Sequence, residues 1–534
     1  LTFSGNVWSN ANGSSRTMTF NGNGDTLLTS TANFNAAASS AGQDHNLTKF
    51  GLGILTIQST ASTLDGNLNI QQGAVRLADF RSLNMHPTGT NTGGINLANS
   101  SNSAVLEING NNVAQANLTT PKLITMSGST GGGAILANQT GTSPGLLLNG
   151  NIGGTGSSTS AKTLILGGSN AANNTINGII SNTGAGAIIS LHKTDPGTWN
   201  LAGVNNYGGS TTISNGLLRA TANASTTSSI IPDASAIIFN LNTLTASQTT
   251  SHGFQSAGGT FEFFSNLASA TTESVGALTP AAGLGVVKVS AGGAGAATLR
   301  FGSLGTRSAG ASINFQPGSN AGIQFVTPPA GINGIIGGFA YITTPSGAID
   351  FAATPSANAN IAAFGAASAL PGSGAVGTAN YSLSSPLTTT AAQAINSLRI
   401  TSGANLTLGG ALSVTANSAT SLGGILHDNA GGSSIITAAQ IRTHTANQET
   451  VVTTGGISAA NTLTINSVIT GTNGASGSGQ FTKTGNGVLI LGGSNTYTGN
   501  THINEGTVRL SGATATLGNP GNTNSLNVRQ KTTL

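Results

Sequence analysis

Thirteen acidic and seven histidine side chains are what this 534-residue, cysteine-free chain offers for acid–base or metal chemistry. The acids are Asp25, Asp44, Asp65, Asp79, Glu107, Asp195, Asp233, Glu262, Glu273, Asp350, Asp428, Glu449 and Glu505. Glycoside cleavage needs two carboxyl groups flanking one bond, and a Ca²⁺ site needs several oxygens around one ion. No two of these acids lie within eight residues of each other, so neither arrangement is written into a single segment. Stacking of one chain turn on the next could still pair them, for example Asp44 with Asp65, 21 residues apart. The histidines (His45, His86, His192, His252, His427, His444, His502) show neither HxH nor HExxH spacing, which argues against a metal site. Gly372, Gly374 and Gly377 match GxGxxG, but a dinucleotide loop needs an acid ~20 residues on, and the next acid is Asp428. Ser143 sits in a GxSxG string, where Pro144 removes the backbone N–H an oxyanion hole would use. The expectation is therefore no catalytic, cofactor-binding or metal-binding residue, and no enzyme.

The elements that must hold these side chains are strands. Residues 47–58 (LTKFGLGILTIQ) are followed by 68–78 (LNIQQGAVRLA), and related segments occupy 191–220 and 481–512. Lys49 precedes Gly73 by 24 residues, Lys193 precedes Gly216 by 23, and Lys483 precedes Gly506 by 23. Within each copy apolar residues alternate with Thr, Asn and Arg, as in Leu489 and Leu491 or Val508 and Leu510, which puts them on one face of a strand. Helix-length periodicity is absent. Strands recurring about every 23 residues cannot bury an apolar face alone, so successive coils must stack and share one interior. The expected fold is all-β: a right-handed parallel β-helix of on the order of 20 to 25 coils, a rod near 100 Å long. Residues 1–225 and 401–534 read as β-helix. Residues 226–400, with nine of the fourteen prolines and eleven of the seventeen phenylalanines, read as a wider, less regular β section.

Composition agrees and excludes other classes. Lys and Arg total 17, Asp and Glu 13, together 6% of the chain, too few to coat helical bundles or coiled coils. Hydrophobic residues at 37% are enough to order the chain. The net charge of +4 is spread thinly, so nucleic acid is not an expected partner. No apolar run reaches the ~18 to 20 residues of a membrane-spanning helix. Neutral Asn, Thr and Ser suit a stack, because they form hydrogen-bonded ladders where stacked like charges would repel.

The unit Lys-Thr-Gly-x-Gly-x-Leu-x-Leu-x-Gly-x-Asn-x-Tyr-x-Gly-x-Thr, then Ile-x-x-Gly-x-Val-x-Leu, resembles the autotransporter-associated β-strand repeat, also called the passenger-associated transport repeat. Residues 481–510 carry it through Lys483, Gly485, Gly487, Leu489, Leu491, Gly493, Asn495, Tyr497, Gly499, Thr501, Gly506 and Leu510. The middle copy keeps Lys193, Gly197, Leu201, Gly203, Asn205, Tyr207, Gly209, Thr211 and Gly216, with Trp199 in its first strand. The first keeps Lys49, Gly51, Gly53 and Gly73 and lacks Asn-x-Tyr. Residues 331–342, 348–353 and 396–412 look like linking segments of long exported repeat proteins of Verrucomicrobia and Planctomycetes. The resemblance implies a secreted or surface-displayed stalk, adhesin or matrix component of a Gram-negative-type bacterium, whose export signal and anchor lie outside this sequence.

Tyr207 and Tyr497 share one repeat position, where packing at a coil corner or stacking on a sugar are the alternatives. Arg76, Arg219 and Arg509 share another, an outward stripe that is either solvated or turned to anionic glycan. Asn46, Asn117, Asn138 and Asn405 begin Asn-x-Ser/Thr triplets, candidate sugar acceptors. Solenoid poles expose sheet edges, and residues 1–10 and 525–534 read as strands able to complete a neighbour's coil. The expected partner is thus a second copy, head to tail, giving a non-enzymatic surface fibre or matrix filament, with cell-surface or matrix glycans as further partners. A monomeric adhesin stalk and a β-helical polysaccharide-active enzyme are the alternatives.

Overall fold

The computed structural model describes residues 1–5, 7–10, 16–32, 34–36, 45–61, 64, 66–83, 93–98, 103–110, 117–118, 122–127, 132–140, 145–155, 161–182, 188–225, 227–241, 258–414, 422–428, 430, 432–443, 448–456, 462–471, 479–521, 525–529 and 532–533. Among them the helical element is a single 3-10 turn, Phe80–Leu83, and the rest is strand and turn. No helix among the described residues is long and apolar enough to cross a membrane. Strands of one coil pair in parallel with those of the next, as a chain that circles once must, returning in the same direction one ~4.8 Å step further on. The all-β parallel solenoid is what the repeats require.

Register makes the interior. Leu47, Leu68, Ile95, Ile124, Ile152 and Ile180 are successive partners, each fully buried, so one residue type per coil builds a continuous apolar column. A second column runs through Leu55, Val75, Leu106, Ile135 and Leu166. Outward positions carry polar ladders such as Asn69 Oδ1 accepting from Asn96 Nδ2 at 2.7 Å. A third column, leading into the Phe-rich section, interleaves rings with aliphatic residues: Trp199, Leu218, Phe261, Val287 and Phe315 stack in register. Pro280 and Pro317 close strands Leu278–Pro280 and Ser312–Pro317, where a missing N–H costs no interior ladder bond.

The stack departs from a uniform column in two ways. Coils differ in length: register partners are 21 residues apart at Leu47 and Leu68, 31 at Arg76 and Glu107, and 43 at Arg219 and Glu262. The longest ladders therefore hold 11, 10 and 8 strands, stacks of about 50 Å, about 43 Å and about 35 Å at ~4.8 Å per step, in place of the expected 20 to 25 coils in one rod.

The stack also breaks once. The ten-stranded sheet passes residue 225 in register, from Asn215–Ala222 to Gly258–Ser265, and ends in an antiparallel pair, Ala340–Thr343 with Ile349–Phe351. A second arm begins at Ser368–Ala369 with its own eight-, seven- and four-stranded sheets and its own core. This arm packs on the last coils of the first. Gly338 N donates to Leu422 O at 2.6 Å, Ser312 Oγ lies 3.0 Å from Thr484 Oγ1, and Asn504 Nδ2 donates to Gly310 O at 2.8 Å. Ile335, Tyr341, Phe351 and Leu426 form an apolar cluster at the junction.

Candidate functional site

The repeat's lysine occupies an inward strand position. Lys193 stands between Leu166 and Ile213, Lys483 between Val452 and Ile503, and Lys49 between Phe20 and Ile70. An ammonium group is tolerated there only if its protons are used. Lys483 Nζ donates to the carbonyls of Thr484 (2.9 Å), Gly485 (2.6 Å) and Glu505 (3.0 Å). Lys193 Nζ does the same to Thr194, Asp195 (2.7 Å) and Asn215 (3.1 Å), and Lys49 Nζ to Phe50 (2.9 Å) and Gly51 (2.6 Å). In the later two copies two acceptors belong to the lysine's own turn and the third to the next coil, so each ammonium fastens one coil to another. This explains the 23-residue spacing to glycine. Gly216 and Gly506 have φ of 66° and 77°, and a Cβ on them would stand 2.7 Å and 2.9 Å from the two Nζ atoms. Burial pushes Lys193 and Lys483 down to about 7, while the charges of Asp195 and Glu505 pull them back up.

The Asn-x-Tyr element spans three coils. Asn205 Oδ1 accepts from Ile180 N at 2.7 Å on the preceding coil, and its Nδ2 donates to Ile230 O at 2.5 Å on the following one. Asn495 repeats this with Ile469 N (2.7 Å) and Thr516 O (2.6 Å). Tyr207 and Tyr497 are each 1% exposed, their hydroxyls 2.6 Å and 2.7 Å from Thr211 and Thr501. Tyr497 stacks on Phe481 at 5.8 Å. Neither ring offers a face to a sugar.

Several of the described acids and histidines are spent on structure as well. Asp44 and Asp65 lie outside the described residues, as do Ser143, His86, His252 and His444. Asp350 and Asp428, 78 positions apart in the sequence, do converge, but on Arg399, whose Nη1 and Nη2 lie 3.3 Å and 3.1 Å from them. Both acids are buried, and this clamp ties the antiparallel strand to the second arm. Burial raises Asp350, Arg399 lowers it and the charge of Asp428 raises it, with the net direction upward. His192 and Ser214 lie 2.6 Å apart, the spacing of a base and a nucleophile. Ser214 Oγ, however, donates to Asn240 O at 2.5 Å, so His192 Nε2 must donate to Ser214, the wrong polarity for activation. Gly372 and Gly374 sit on an open loop followed by strand Asn380–Leu383, not by a helix. Among the described residues no three His, Asp or Glu side chains converge on a point that could hold a metal.

The arginine stripe is neutralised coil by coil. Arg76 Nε lies 2.8 Å from Glu107, its register partner, and Arg219 Nε 2.8 Å from Glu262, which also meets Lys288 at 3.2 Å. Charges of alternating sign follow one another up the stack where like charges would repel. Burial works to raise Glu262, but Ser290 and Arg219 donate to it and hold its carboxyl below the usual range. Arg509 remains exposed. Of the Asn-x-Ser/Thr positions, Asn46 and Asn138 are committed to ladder bonds with Asn67 N and Ser169 N, whereas Asn405 is exposed and accepts from Ile435 N.

Among the described residues, Glu273 is a fully buried acid whose pKa is displaced to near neutrality. Its Oε1 accepts from Ile231 N at 2.7 Å, its Oε2 has no partner, and burial pushes it up to about 7, helped by the charge of Asp233. The folded chain then holds this proton between pH 4.5 and 7 while the unfolded chain releases it, so this group's stabilisation is complete below pH 4.5 and is lost as pH rises through 7. Glu273→Gln should remove that loss. The stability of the variant relative to the wild type should rise by up to about 3 kcal/mol from pH 4.5 to above 7, read by denaturant titration.

Comparison with known proteins agrees with the repeat. The passenger-associated transport repeat family model matches residues 47–77, 191–220 and 481–510. The chain is also 44% identical over 73 residues, 14% of its length, to an adhesin of Brucella suis biovar 1 (strain 1330), the BmaC autotransporter. That stretch spans 2% of the adhesin's own length. No solved structure matches the chain.

Proposed function

We propose that this chain is part of the extracellular β-helical passenger of an autotransporter-type adhesin of a Gram-negative bacterium, a non-enzymatic stalk that carries adhesive surface away from the cell. The observation that carries this reading is the lysine staple. In all three passenger-type repeats the buried lysine is spent on main-chain carbonyls, and in two of them it fastens its coil to the next, the need of a mechanical column and not of an active site. The similarity to an adhesin autotransporter points the same way, and the linking segments extend the proposal to long repeat proteins of the Verrucomicrobia and Planctomycetes type.

The test is display of the chain on a Gram-negative host behind a heterologous translocator barrel. Surface protease accessibility together with increased attachment of cells to matrix-coated or glycan-coated plates is the expected result; display with no gain in attachment overturns the adhesin reading. Negative-stain electron microscopy of the purified chain reads the competing arrangement: rods of one chain fit the stalk, and long filaments would favour the head-to-tail fibre.

A further inference from the structure

Strand Thr501–Ile503 of the third repeat turns Ile503 into the second arm's core and Thr501 to the buried hydroxyl of Tyr497, so His502 between them faces outward. The first arm covers it. His502 is 9% exposed, and its ring lies on Gly310, a first-arm glycine with φ of 81° on which a Cβ would stand 2.5 Å from the ring. The second arm holds the same glycine twice more, its N–H through Glu449 and its carbonyl through Asn504. The ring therefore sits in the docking face itself. The other two repeats carry half-buried Asn69 and Thr212 at this register position, so the histidine belongs to the copy that meets the other arm.

Positive charge already dominates its surroundings. Among the described residues, the charged groups that act on the ring are Glu449 two coils before it, Arg307 of the first arm, and Arg529 on the following coil, whose N–H donates to Ile503 O at 3.0 Å. Lys483, on the intervening coil, points into the core and away from it. The ring's own contact is neutral, with Nε2 3.3 Å from Gln480 Oε1. Two guanidinium groups thus stand against one carboxylate, and a protonated imidazole adds a third cation where the first arm excludes water. Burial above all, with Arg529 and Arg307, holds the ring below the usual histidine range against the pull of Glu449.

We propose that His502 is an acid-sensitive latch: protonation of its ring weakens the docking of the two arms while each stack stays folded. The chain then holds its arms together in neutral surroundings and loosens them in acidified ones. The docked ring binds a proton less tightly than a ring released to water, so its contribution to docking is complete above pH 6.5 and is lost as pH falls below it, by up to about tenfold per unit. Asp350 in the Arg399 clamp works the opposite way: burial raises its carboxyl, so that clamp tightens as pH falls towards 3.8. His192 and His427, pushed down to about 4 inside single arms, weaken their own stacks and not the junction. The share of His502 is the difference between the wild type and a variant without its charge.

Hydrogen exchange on the intact chain between pH 7.5 and 5 reads the opening constant of the junction at Gly310 N and Gly338 N, which both donate across it. Corrected for intrinsic exchange, that constant should rise about tenfold in the wild type from pH 7 to pH 5, while strands Ile124–Ser127 and Thr462–Ile465 within the arms keep their protection. His502→Gln, which takes up no proton, should match the wild type within about threefold at pH 7 and change by less than about threefold down to pH 5. Carbon-13 NMR of labelled histidine should show the His502 ring titrating below pH 6.5 in the wild type. The latch is overturned if the ring titrates at or above 6.5, or if junction opening follows pH alike in both proteins. If His502→Gln does not dock at pH 7, the ring titration decides alone, below 6.5 for the latch and at or above 6.5 against it.

Discussion

Glu449→Ala should separate the two arms. Arg307 is fully buried; its Nη2 meets both carboxylate oxygens of Glu449 at 2.9 Å and 2.8 Å, its Nε donates to Ala311 O at 2.7 Å, and its guanidinium lies 4.6 Å from the Phe339 ring centre. Gly310 N adds bonds to the same carboxylate at 3.3 Å and 3.2 Å. Removing Glu449 leaves a guanidinium inside the junction with no counter-charge, at a cost of about 3 to 5 kcal/mol. Because that charge sits between two stacks with separate cores, the loss should fall on their docking more than on either stack. Denaturant unfolding should be one transition in the wild type and split into two in the variant, with a larger hydrodynamic radius between them. The double variant Arg307→Met with Glu449→Leu should recover most of the loss, since a well-packed apolar pair replaces a buried ion pair at little cost. A single unshifted transition in Glu449→Ala would mean that the arms are held elsewhere.

Lys193→Met should be the most damaging change within the middle repeat. The methionine keeps the buried stem but removes the three donations, and buried carbonyls left without donors cost about 1 to 3 kcal/mol each, so a loss on the order of 3 kcal/mol is expected after partial relaxation. Lys193→Arg should not rescue it, because the added atoms meet the Gly216 backbone against which Nζ is already pressed. The same change at Lys483 should loosen the second arm's coils and leave the first arm's protected. Amide exchange reads both outcomes: protection should fall in the strands flanking the substituted coil, Ala161–Gly167 and Thr211–Ile213 for Lys193, and persist in the other arm. Unchanged protection there would show that the ammonium is not what fastens the coils.

The same lysines show how much was legible in the sequence. Their type, their spacing to glycine and the alternation around them sufficed to infer parallel stacking, since a repeat too short to bury its own face has no other stable arrangement. The spacing alone left open why lysine stands at an inward position: its acceptors are main-chain carbonyls, one of them on the next coil, and carbonyls leave no mark in composition. Arg76 with Glu107 and Arg219 with Glu262 were equally hidden, because coils of 31 and 43 residues defeat any fixed period. Tyr207 and Tyr497 were open between packing and sugar contact until burial decided for packing.

By itself the sequence determined that strands of this chain stack on one another, because alternation, glycine turns and neutral ladders act over one or two coils and need no distant partner. Only the tertiary structure decided that the stack breaks near residue 351 and returns upon itself. The partners of Arg307, Ser312 and Asn333 lie 142, 172 and 47 residues away, and contacts at such separations depend on where each arm's axis points, a property accumulated over many coils and carried by no single segment.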